Sequence, residues 1–439
     1  MPRFQRPRGT RDYMPQEAWK LRLIANRIRE VFELYGYGEI ITPAFEHLDL
    51  LVAKAGEEVV KQIYSFRDKA GRLLGLRFEM TTPIARVIAS NPMLPRPVRL
   101  YYIQPVWRYE EPQKGRYREF WQAGVELIGA ECPEGDAEVV ALTVRALQKA
   151  GLKGFVVKVN DRELVEGLLE EANVAPSQWV SAMRTIDKLE KRGESYVIQE
   201  LAKLGLGESG ARTLITRLNS LKGSIEVLSQ LSSTGSERLN RGVRRLEAIL
   251  SELKDGYGIS NEVVIDATIV RGLDYYTSFV FEVVVPKADV GSVAGGGRYD
   301  DLIALVGGPK IPATGMAIGL ERLIHAIEAE NGAIGDYRVV EAVVIPVDPE
   351  LRVYAARVAE SLRSAGIRTM LEFGTRKLGK ALERADKLGV RVAVIVGRSD
   401  IEEGVCTVRD MEKRVQERVL LDSVAEKVLS IVKSNLKSD

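Results

Sequence analysis

The sequence has few of the residues that bind metals or form disulfide bonds. Its 439 residues include only two cysteines, Cys132 and Cys406, and two histidines, His47 and His325. Two distant cysteines form neither a disulfide framework nor a metal cluster, and two histidines exclude a histidine-rich metal site. No residue is therefore assigned to a resident metal.

Long apolar runs are also missing. No run approaches the length of a membrane span, and the first ten residues, MPRFQRPRGT, lack the apolar core of a signal peptide. We therefore expect no membrane association and a cytoplasmic location. The formal net charge is only +2, so no global field attracts nucleic acid.

The composition, with 45% hydrophobic and 28% charged residues, is that of a globular protein long enough for two or three domains. Between about residues 161 and 255, leucines and charged residues recur with a helical period and strand signals disappear, which predicts a helical insertion. Residues 331–338 are predicted to be a linker. Beyond it, strand and helix patterns alternate, which predicts a small α/β domain at residues 339–439.

Basic residues are concentrated in the middle of this last domain. Residues 363–398 contain nine Lys or Arg against three Asp or Glu. Such a segment is compatible with a phosphate-binding surface and equally with a solvated helix face.

Residues 104–126, QPVWRYEEPQKGRYREFWQAGVE, combine a strand, a polar loop and a second strand. Successive side chains of a strand point to opposite faces, so the second strand has two unlike faces. One face is apolar and contains Trp121, Ala123, Val125 and Leu127. The other contains Phe120, Gln122, Gly124, Glu126 and Ile128.

The second of these faces is predicted to be the floor of a pocket, in which Gly124 lets a ligand approach the backbone. The loop adds Lys114, Arg116 and Arg118, which suit phosphate groups. Local alternation alone leaves a solvated hairpin of mixed charge equally open.

The whole of this segment resembles motif 2 of the class II aminoacyl-tRNA synthetases, in the form seen in histidyl-tRNA synthetases. Upstream, a helix at about residues 15–35, a glycine turn and a strand at residues 37–43 resemble motif 1, which forms the dimer interface in that family. Two further segments resemble motifs peculiar to the histidyl enzymes. They are RGLDYY at residues 271–276 and AGGGRYDDL at residues 294–302. The glycines of the second offer a backbone without Cβ atoms that can lie against a substrate.

Residues 313–327, ATGMAIGLERLIHAI, resemble motif 3. Arg322 is predicted to lie in the first turn of a helix, away from its apolar stripe. A cation there is unfavourable for the helix dipole unless that end of the helix binds an anion. An exposed surface arginine is the alternative.

The resemblance implies an α+β fold. The class II catalytic domain would occupy residues 1–330, with a mainly antiparallel sheet flanked by helices and the helical insertion. The small α/β domain resembles the anticodon-binding domain of class IIa synthetases.

The activity implied is that of a histidine–tRNA ligase. Such a protein activates histidine with ATP to histidyl-adenylate and pyrophosphate, then transfers the histidyl group to the 3′ end of tRNA(His). The partners implied are histidine, ATP with Mg²⁺, tRNA(His) and a second copy in a homodimer. Two anions meet in the first step, so the site must supply positive charge and geometry.

The resemblance assigns this charge to arginines. The catalytic residues implied are Arg108, which would hold the α-phosphate and the substrate carboxylate, and Arg271, which would lie across the α-phosphate. Arg116 and Arg322 would hold the phosphate tail.

The adenine would be read by Glu110 and stacked on Phe120. Magnesium would be carried by the phosphates and one or two acids that the sequence does not identify.

Recognition of histidine is assigned to two sets of residues. Those carried over to the amino group are Glu79, Thr81 and Gln122. Those carried over to the ring are Glu126 and Tyr276 for its nitrogens, with Tyr275 lining the pocket. Glu79 also has a local interpretation, as an acid near a helix N-terminus.

Two other functions remain open. Some proteins that resemble histidyl-tRNA synthetases bind histidine and regulate ATP phosphoribosyltransferase without aminoacylation. They usually lack the anticodon-binding domain and have a degraded RGLDYY motif, whereas this chain contains the segment that resembles that domain and an intact RGLDYY motif. A class II synthetase for another amino acid would make Glu126 and the two tyrosines incidental.

Overall fold

The computed structural model describes residues 4–53, 57–112, 115–231, 236–271, 275–335, 337–373 and 377–433. The chain divides into two compact units, one formed by residues 1–12 and 20–334 and the other by residues 13–19 and 335–439. Among the described helices, none is long and apolar enough to cross a lipid bilayer.

The chain up to residue 334 forms two sheets with helices packed around them. Its strands are β1 Gly38–Glu39, β2 Phe45–His47, β3 Ser65–Arg67, β4 Leu73–Leu76, β5 Val98–Trp107, β6 Glu119–Ile128, β7 Val156–Asp161, β8 Lys222–Gly223, β9 Val263–Asp266, β10 Phe279–Val284, β11 Ser292–Arg298 and β12 Ala313–Gly319.

The helices of the same part of the chain are α1 Pro15–Leu34, α2 Leu48–Val52, α3 Glu57–Val60, α4 Thr81–Ser90, α5 Glu134–Ala150, α6 Arg162–Glu171, α7 Trp179–Ile186, α8 Leu189–Arg192, α9 Glu194–Leu201, α10 Gly207–Ser220, α11 Glu237–Asp255, α12 Leu302–Leu305 and α13 Leu320–Asn331. Short 3₁₀ segments lie at Pro176–Gln178 and Ile225–Leu231, and a π-helical turn lies at Ala202–Leu206.

The main sheet has nine strands in the order β1-β5-β6-β12-β11-β10-β7-β9-β8. Neighbouring strands are antiparallel except for the pairs β1·β5 and β7·β9, which are parallel. A smaller sheet has the order β2-β4-β3. The mainly antiparallel sheet with flanking helices confirms the α+β fold that the resemblance implied.

The two faces of β6 divide as the alternation predicted. Ala123, Val125 and Leu127 are fully buried on one face, and Gln122 and Glu126 are buried on the other. β5 and β6 pair along their whole length, from Val98 opposite Ile128 to Trp107 opposite Glu119.

The prediction that Gly124 admits a ligand is wrong. Tyr102 lies directly opposite Gly124 on β5. A Cβ atom on Gly124 would overlap the Tyr102 hydroxyl and the carbonyl oxygen of Met316, and would lie 2.5 Å from Tyr102 Cζ. The space over this glycine is therefore filled by a tyrosine of the neighbouring strand, which packs as a large ring over a small residue.

The helices between β7 and β9 are fixed to one another through α6 and α11. Arg245 of α11 pairs with Asp161 at 2.9 Å, and Arg241 pairs with Glu163 at 3.1 Å. The two helices approach closely because Gly242 lies against the backbone of Leu164.

The apolar pattern of residues 261–270 continues past Asp266, but β9 ends at that residue. The carboxylate of Asp266 accepts hydrogen bonds from the backbone N–H of Thr268 at 3.1 Å and from its hydroxyl at 2.5 Å. An aspartate that bonds to the residue two positions later favours a turn over a continued strand.

The second unit is a five-stranded sheet with the order β14-β13-β15-β16-β17. Its strands are β13 Ala342–Pro346, β14 Thr369–Leu371, β15 Val392–Val396, β16 Val405–Asp410 and β17 Val415–Leu420. Its helices are α14 Arg352–Ser364, α15 Leu378–Lys387, α16 Arg398–Glu402 and α17 Val424–Lys433, with 3₁₀ turns at Pro349–Leu351 and Leu421–Ser423. The first three strands are parallel neighbours and the last two are antiparallel.

Most of the basic residues of the segment 363–398 are paired within this unit. Those with a carboxylate partner are Arg363, Arg368, Arg384, Lys387, Arg391 and Arg398. The local charge excess is therefore largely compensated by the unit's own acids, which weakens the argument from charge that the segment binds phosphates.

We expect Gly124→Ala to destabilise the first unit by about 1–3 kcal/mol, because its Cβ would overlap the backbone of β12 as well as the Tyr102 ring. Thermal unfolding measures the effect. The matched control is Gly319→Ala in β12, where the nearest described atom to a Cβ is 3.9 Å away. Equal melting temperatures for both variants would contradict the packing argument.

Candidate active site

A cavity of about 1280 Å³ opens on the main sheet. It is bounded by the end of the β5–β6 hairpin, by β10, β11 and β12, by the start of α13 and by the α7–α8 corner of the inserted helices. The predicted site residues that line it are Arg108, Glu110, Arg116, Phe120, Gln122, Arg271 and Arg322. The volume exceeds what one small ligand fills.

Three arginines of this cavity, Arg108, Arg116 and Arg322, form a cluster of positive charge. Arg108 Nε donates to the carbonyl oxygen of Phe78 at 2.9 Å, and its guanidinium lies 5.2 Å from the centre of the Phe120 ring. Arg322 Nη1 donates to the carbonyl oxygen of Ser292 at 2.9 Å. Since carbonyl oxygens orient these guanidiniums without neutralising them, both charges remain directed into the cavity.

Burial and the neighbouring charges of Arg116 and Arg108 lower the pKa of Arg322 to about 10. Arg116 itself lies 3.6 Å from the carboxylate of Glu110, at the mouth of the cavity. Like charges gathered in a partly desolvated site favour a polyanionic ligand, because the ligand removes their mutual repulsion.

Arg271 lies at the side of the cavity next to the inserted helices. Its backbone has a φ of 58°, in the left-handed region that is uncommon for residues other than glycine. Its Nη1 is 3.9 Å from the Glu282 carboxylate, and its buried Nε has no hydrogen-bond partner among the described residues. Residues 272–274 of the RGLDYY segment, and Lys114 of the hairpin loop, lie outside the described residues.

Glu126 is a buried carboxylate, with only 1% of its surface exposed. The Thr81 hydroxyl donates to its Oε1 at 2.8 Å, and the Tyr299 hydroxyl donates to its Oε2. Burial raises the pKa of Glu126 from 4.5 to about 8, against the opposite effect of these two hydrogen bonds. Burial therefore favours the protonated form of Glu126 at neutral pH.

Aromatic rings enclose this carboxylate. The ring centres of Tyr275 and Tyr276 are 4.8 Å apart, and those of Tyr275 and Tyr299 are 5.9 Å apart. Together with Tyr102 they belong to one buried cluster. The predicted ring-binding residues are thus brought together in a buried cluster, and they are not among the residues that line the cavity.

Glu79 caps the N-terminus of α4. Its carboxylate accepts hydrogen bonds from the backbone N–H groups of Thr81 at 2.5 Å and Thr82 at 2.9 Å. This is the local interpretation that the sequence allowed, and the role of Glu79 towards an amino group stays a prediction. Gln122 has a buried Oε1 without a hydrogen-bond partner among the described residues, which leaves an acceptor free for a ligand.

The floor of the site is formed by two central strands that have almost no side chains on this face. In β11 and β12 the residues facing the site are Gly295, Gly297, Gly315, Ala317 and Gly319. A Cβ on Gly297 would lie 2.9 Å from the Tyr276 ring, and one on Gly315 would overlap the Glu126 carboxylate. The AGGGRYDDL segment was predicted to lie against a substrate. In the structure, side chains of the protein lie against its glycines.

Tyr299 is the residue of the pocket that sequence reasoning missed, although it stands inside a segment already singled out. Its neighbours fix its backbone, since Arg298 Nε donates to the buried carboxylate of Asp136 at 2.8 Å and Asp300 accepts from the Ala313 N–H at 2.9 Å. The available signal was the pattern of Arg, Tyr and Asp after three glycines.

A family model described as Histidyl-tRNA synthetase matches residues 9–323. The chain belongs to the histidyl-tRNA synthetase family. A second model, described as Anticodon binding domain, matches residues 341–431, which lie in the second unit. The family assignment confirms the resemblance noted in the sequence.

Relatives extend along the whole chain. It is 43% identical over 436 residues to a histidine–tRNA ligase of Pyrococcus furiosus, covering 98% of this chain and 100% of that protein. It is 42% identical over 439 residues to one of Thermococcus kodakarensis, with 98% and 100% coverage. Among solved structures, histidyl-tRNA synthetase from Nostoc sp. aligns with a TM-score of 0.81, 30% identity, and 98% and 99% coverage.

A second structural relative bears on the regulatory alternative. A Bacillus halodurans protein described as an ATP phosphoribosyltransferase regulatory subunit/histidyl-tRNA synthetase aligns with a TM-score of 0.75 and 27% identity, covering 90% of this chain and 98% of that one. The likeness of fold therefore does not separate the two functions, and the residues of the site must do so.

We expect the stability of the protein to depend on pH through Glu126. Because its pKa is about 8 in the folded state and 4.5 otherwise, the folded state retains a proton between these values that the unfolded state releases. The free energy of unfolding then falls as pH rises, by at most about 1.4 kcal/mol per pH unit. Glu126→Gln lacks this contribution, so only the parent should lose stability from this source as pH rises. The difference in melting temperature, variant minus parent, should therefore increase between pH 5.5 and 8.

The control for loss of one carboxylate is Glu247→Gln on the exposed face of α11. Its melting temperature should follow that of the parent at every pH. A difference between Glu126→Gln and the parent that stays constant with pH would contradict a raised pKa.

Proposed function

We infer that this protein is a histidine–tRNA ligase, which forms histidyl-adenylate from histidine and ATP and then esterifies tRNA with the histidyl group. The observation that carries this inference is the combination, on one face of one sheet, of an arginine-lined cavity and a buried carboxylate enclosed by tyrosines. The first suits a nucleoside triphosphate and the second suits an imidazole. ATP, histidine and tRNA are the substrates.

In the adenylation step, the carboxylate of histidine attacks the α-phosphorus of ATP and pyrophosphate leaves. Arg108 and Arg271 are the catalytic groups of this proposal. Both are partly buried beside the cavity, where a fixed positive charge stabilises the developing charge of the transition state more than it would in water. Arg116 and Arg322 hold the phosphate tail.

The adenine is placed next to Phe120 and Glu110. The guanidinium of Arg108 already lies over the Phe120 ring, so a base stacked on the other side of that ring would have its α-phosphate near Arg108. Glu110 is the acceptor for the exocyclic amine of the base.

Histidine is held at both ends. Gln122, through its unpartnered Oε1, takes the ammonium group with Glu79 and Thr81. Glu126 and Tyr276 take the ring nitrogens, and Tyr275 lines the ring. These assignments rest on the resemblance and on the burial of all six side chains in or beside one pocket.

Magnesium fits this site only as an ion that accompanies ATP. Among the described residues, no group of three or more His, Cys, Asp or Glu is placed to hold a metal. Glu282 and Asp289 line the cavity and offer one or two carboxylate oxygens beside phosphate oxygens, the ligand set that Mg²⁺ prefers. When bound, Mg²⁺ would neutralise phosphate charge.

The partner in the second step is tRNA(His). The second unit would bind the anticodon and the inserted helices would approach the acceptor stem. The domain limits at residues 330 and 339, and a cytoplasmic location, remain predictions.

The function is tested by histidine-dependent exchange of pyrophosphate into ATP. We expect exchange with histidine and with none of the other amino acids, and we expect Arg271→Ala to lower its kcat by about 10²–10³-fold, as removal of a transition-state charge does. The matched control is Arg244→Ala, an exposed arginine of α11, which should exchange at the rate of the parent.

A folded protein that binds histidine and shows no exchange would contradict the ligase and support the regulatory function. Exchange with another amino acid at a higher kcat/KM would contradict histidine specificity.

A homodimer is part of this proposal. Leu34 at the end of α1 is 84% exposed, and Ile41 is 78% exposed. Both belong to the element that resembles motif 1. Large aliphatic side chains exposed to this extent at one element favour burial against a second copy of the chain.

We expect Ile41→Asp to shift the protein from dimer to monomer at micromolar concentration, because a carboxylate would be desolvated in the interface. Analytical ultracentrifugation measures the change. The control is Val353→Asp in the second unit, which replaces an equally exposed apolar residue and should leave the dimer intact. A monomeric parent, or a dimeric Ile41→Asp variant, would contradict the proposal.

A further inference from the structure

The guanidinium of Arg271 has polar neighbours in Tyr276, Glu282 and Asp187, which favour its charged form. Its Nη1 lies 3.9 Å from Glu282, its Nε has no hydrogen-bond partner among the described residues, and its backbone is in the left-handed region. The long ion pair and the unpartnered Nε leave the distance of this charge from the sheet to be set by packing.

The surface beneath the guanidinium is Gly295 of β11. A Cβ on Gly295 would lie 2.6 Å from Nη1, 2.7 Å from Cζ and 2.9 Å from Nη2 of Arg271. Carbon and nitrogen atoms in ordinary contact are about 3.5–4.0 Å apart. The planar end of Arg271 therefore rests directly on the backbone of the strand, in space that any side chain would take.

The position of Gly295 in the sheet is well determined. It lies between Glu282 of β10 and Ala317 of β12, its direct neighbours on the two adjacent strands. Glu282 is also the acid nearest to Arg271 Nη1. The guanidinium thus lies against the backbone of Gly295 and beside the negatively charged side chain of Glu282.

We propose that Gly295 is a positioning residue for adenylation, which sets the height of the Arg271 guanidinium above the sheet. The proposal rests on the role given to Arg271 under the proposed function and adds the residue that fixes its place. Gly295 is not needed for an unusual backbone conformation, since its φ is not positive. Gly295 is needed because a side chain at this position would occupy the space of the Arg271 guanidinium.

The neighbouring glycine provides the contrast. A Cβ on Gly296 would overlap the carbonyl oxygen of Gly315, which is backbone and cannot move without distorting the sheet. The three atoms nearest to a Cβ on Gly295 all belong to the mobile end of one side chain. Gly295→Ala should therefore move Arg271 and leave the fold intact, whereas Gly296→Ala should lower the melting temperature.

The experiment is a double-mutant cycle in the histidine-dependent exchange reaction, with the full chain, using Gly295→Ala, Arg271→Ala and the double variant. We expect Gly295→Ala to lower kcat by about 10²-fold, the effect of a displacement of about 1 Å in a reacting geometry. We expect it to melt with the parent. In the Arg271→Ala background the same substitution should change kcat by less than about threefold, since the group it displaces is gone.

Independent losses that multiply in the double variant would overturn the proposal, as would a melting temperature lowered as far as that of Gly296→Ala. Full activity of Gly295→Ala would also overturn it. If Arg271→Ala keeps full exchange, the role of Arg271 itself fails. If Arg271→Ala loses exchange and Gly295→Ala does not, only the positioning role fails.

Discussion

The site depends on close approach of functional side chains to a strip of sheet that has no side chains of its own. Arg271 lies on Gly295, Tyr276 lies on Gly297 and the carboxylate of Glu126 lies over Gly315. Because β11 and β12 are the central strands, these side chains can sink to the level of the backbone while the sheet keeps its pairing. The pocket is therefore deep without a break in the sheet, and its dimensions are set by strand register.

The arginine cluster imposes a second constraint, which is electrostatic. Burial lowers the pKa of Arg322, and the nearby charges of Arg116 and Arg108 lower it further, so like charges repel one another in the cavity. A triphosphate relieves that repulsion, and positive charge fixed before the substrate arrives needs no reorganisation during the reaction. Glu110 lies 3.6 Å from Arg116, so the contact proposed between Glu110 and the base requires either that Glu110 bind both or that a phosphate draw Arg116 away from it.

Much of this arrangement follows from the sequence. Alternation in residues 119–128 separated the core face of β6 from its pocket face, and the motif residues carried over by resemblance converge on the cavity or the pocket beneath it. What the sequence did not reveal are contacts that depend on strand pairing. The ring that fills the space over Gly124 comes from β5, and its place opposite that glycine is known only once the register is known.

The need to know the strand pairing and local turns also explains the other differences between the sequence-based predictions and the structure. The apolar pattern of residues 261–270 continues past Asp266, yet a turn to Thr268 competes locally and ends β9 at Asp266. The glycines of β11 were read as open to substrate, since a pattern of residues does not say which side chain will occupy an empty space. Tyr299 was passed over, although it follows three glycines and an arginine, because its contact with Glu126 is known only once the strands are placed.

The buried carboxylate also bears on selectivity. Glu126 is desolvated before any substrate arrives, with hydroxyl donors from Thr81 and Tyr299 already in place and a pKa near neutral. An imidazole can donate to or share a proton with such a group, whereas an apolar side chain of similar size cannot. Sites that use buried polar groups in this way reject the wrong ligand by roughly 10⁴-fold or more. The discrimination would then occur when the amino acid binds. The wrong amino acid would bind weakly because it cannot pair with Glu126, and this loss of affinity precedes any bond to ATP.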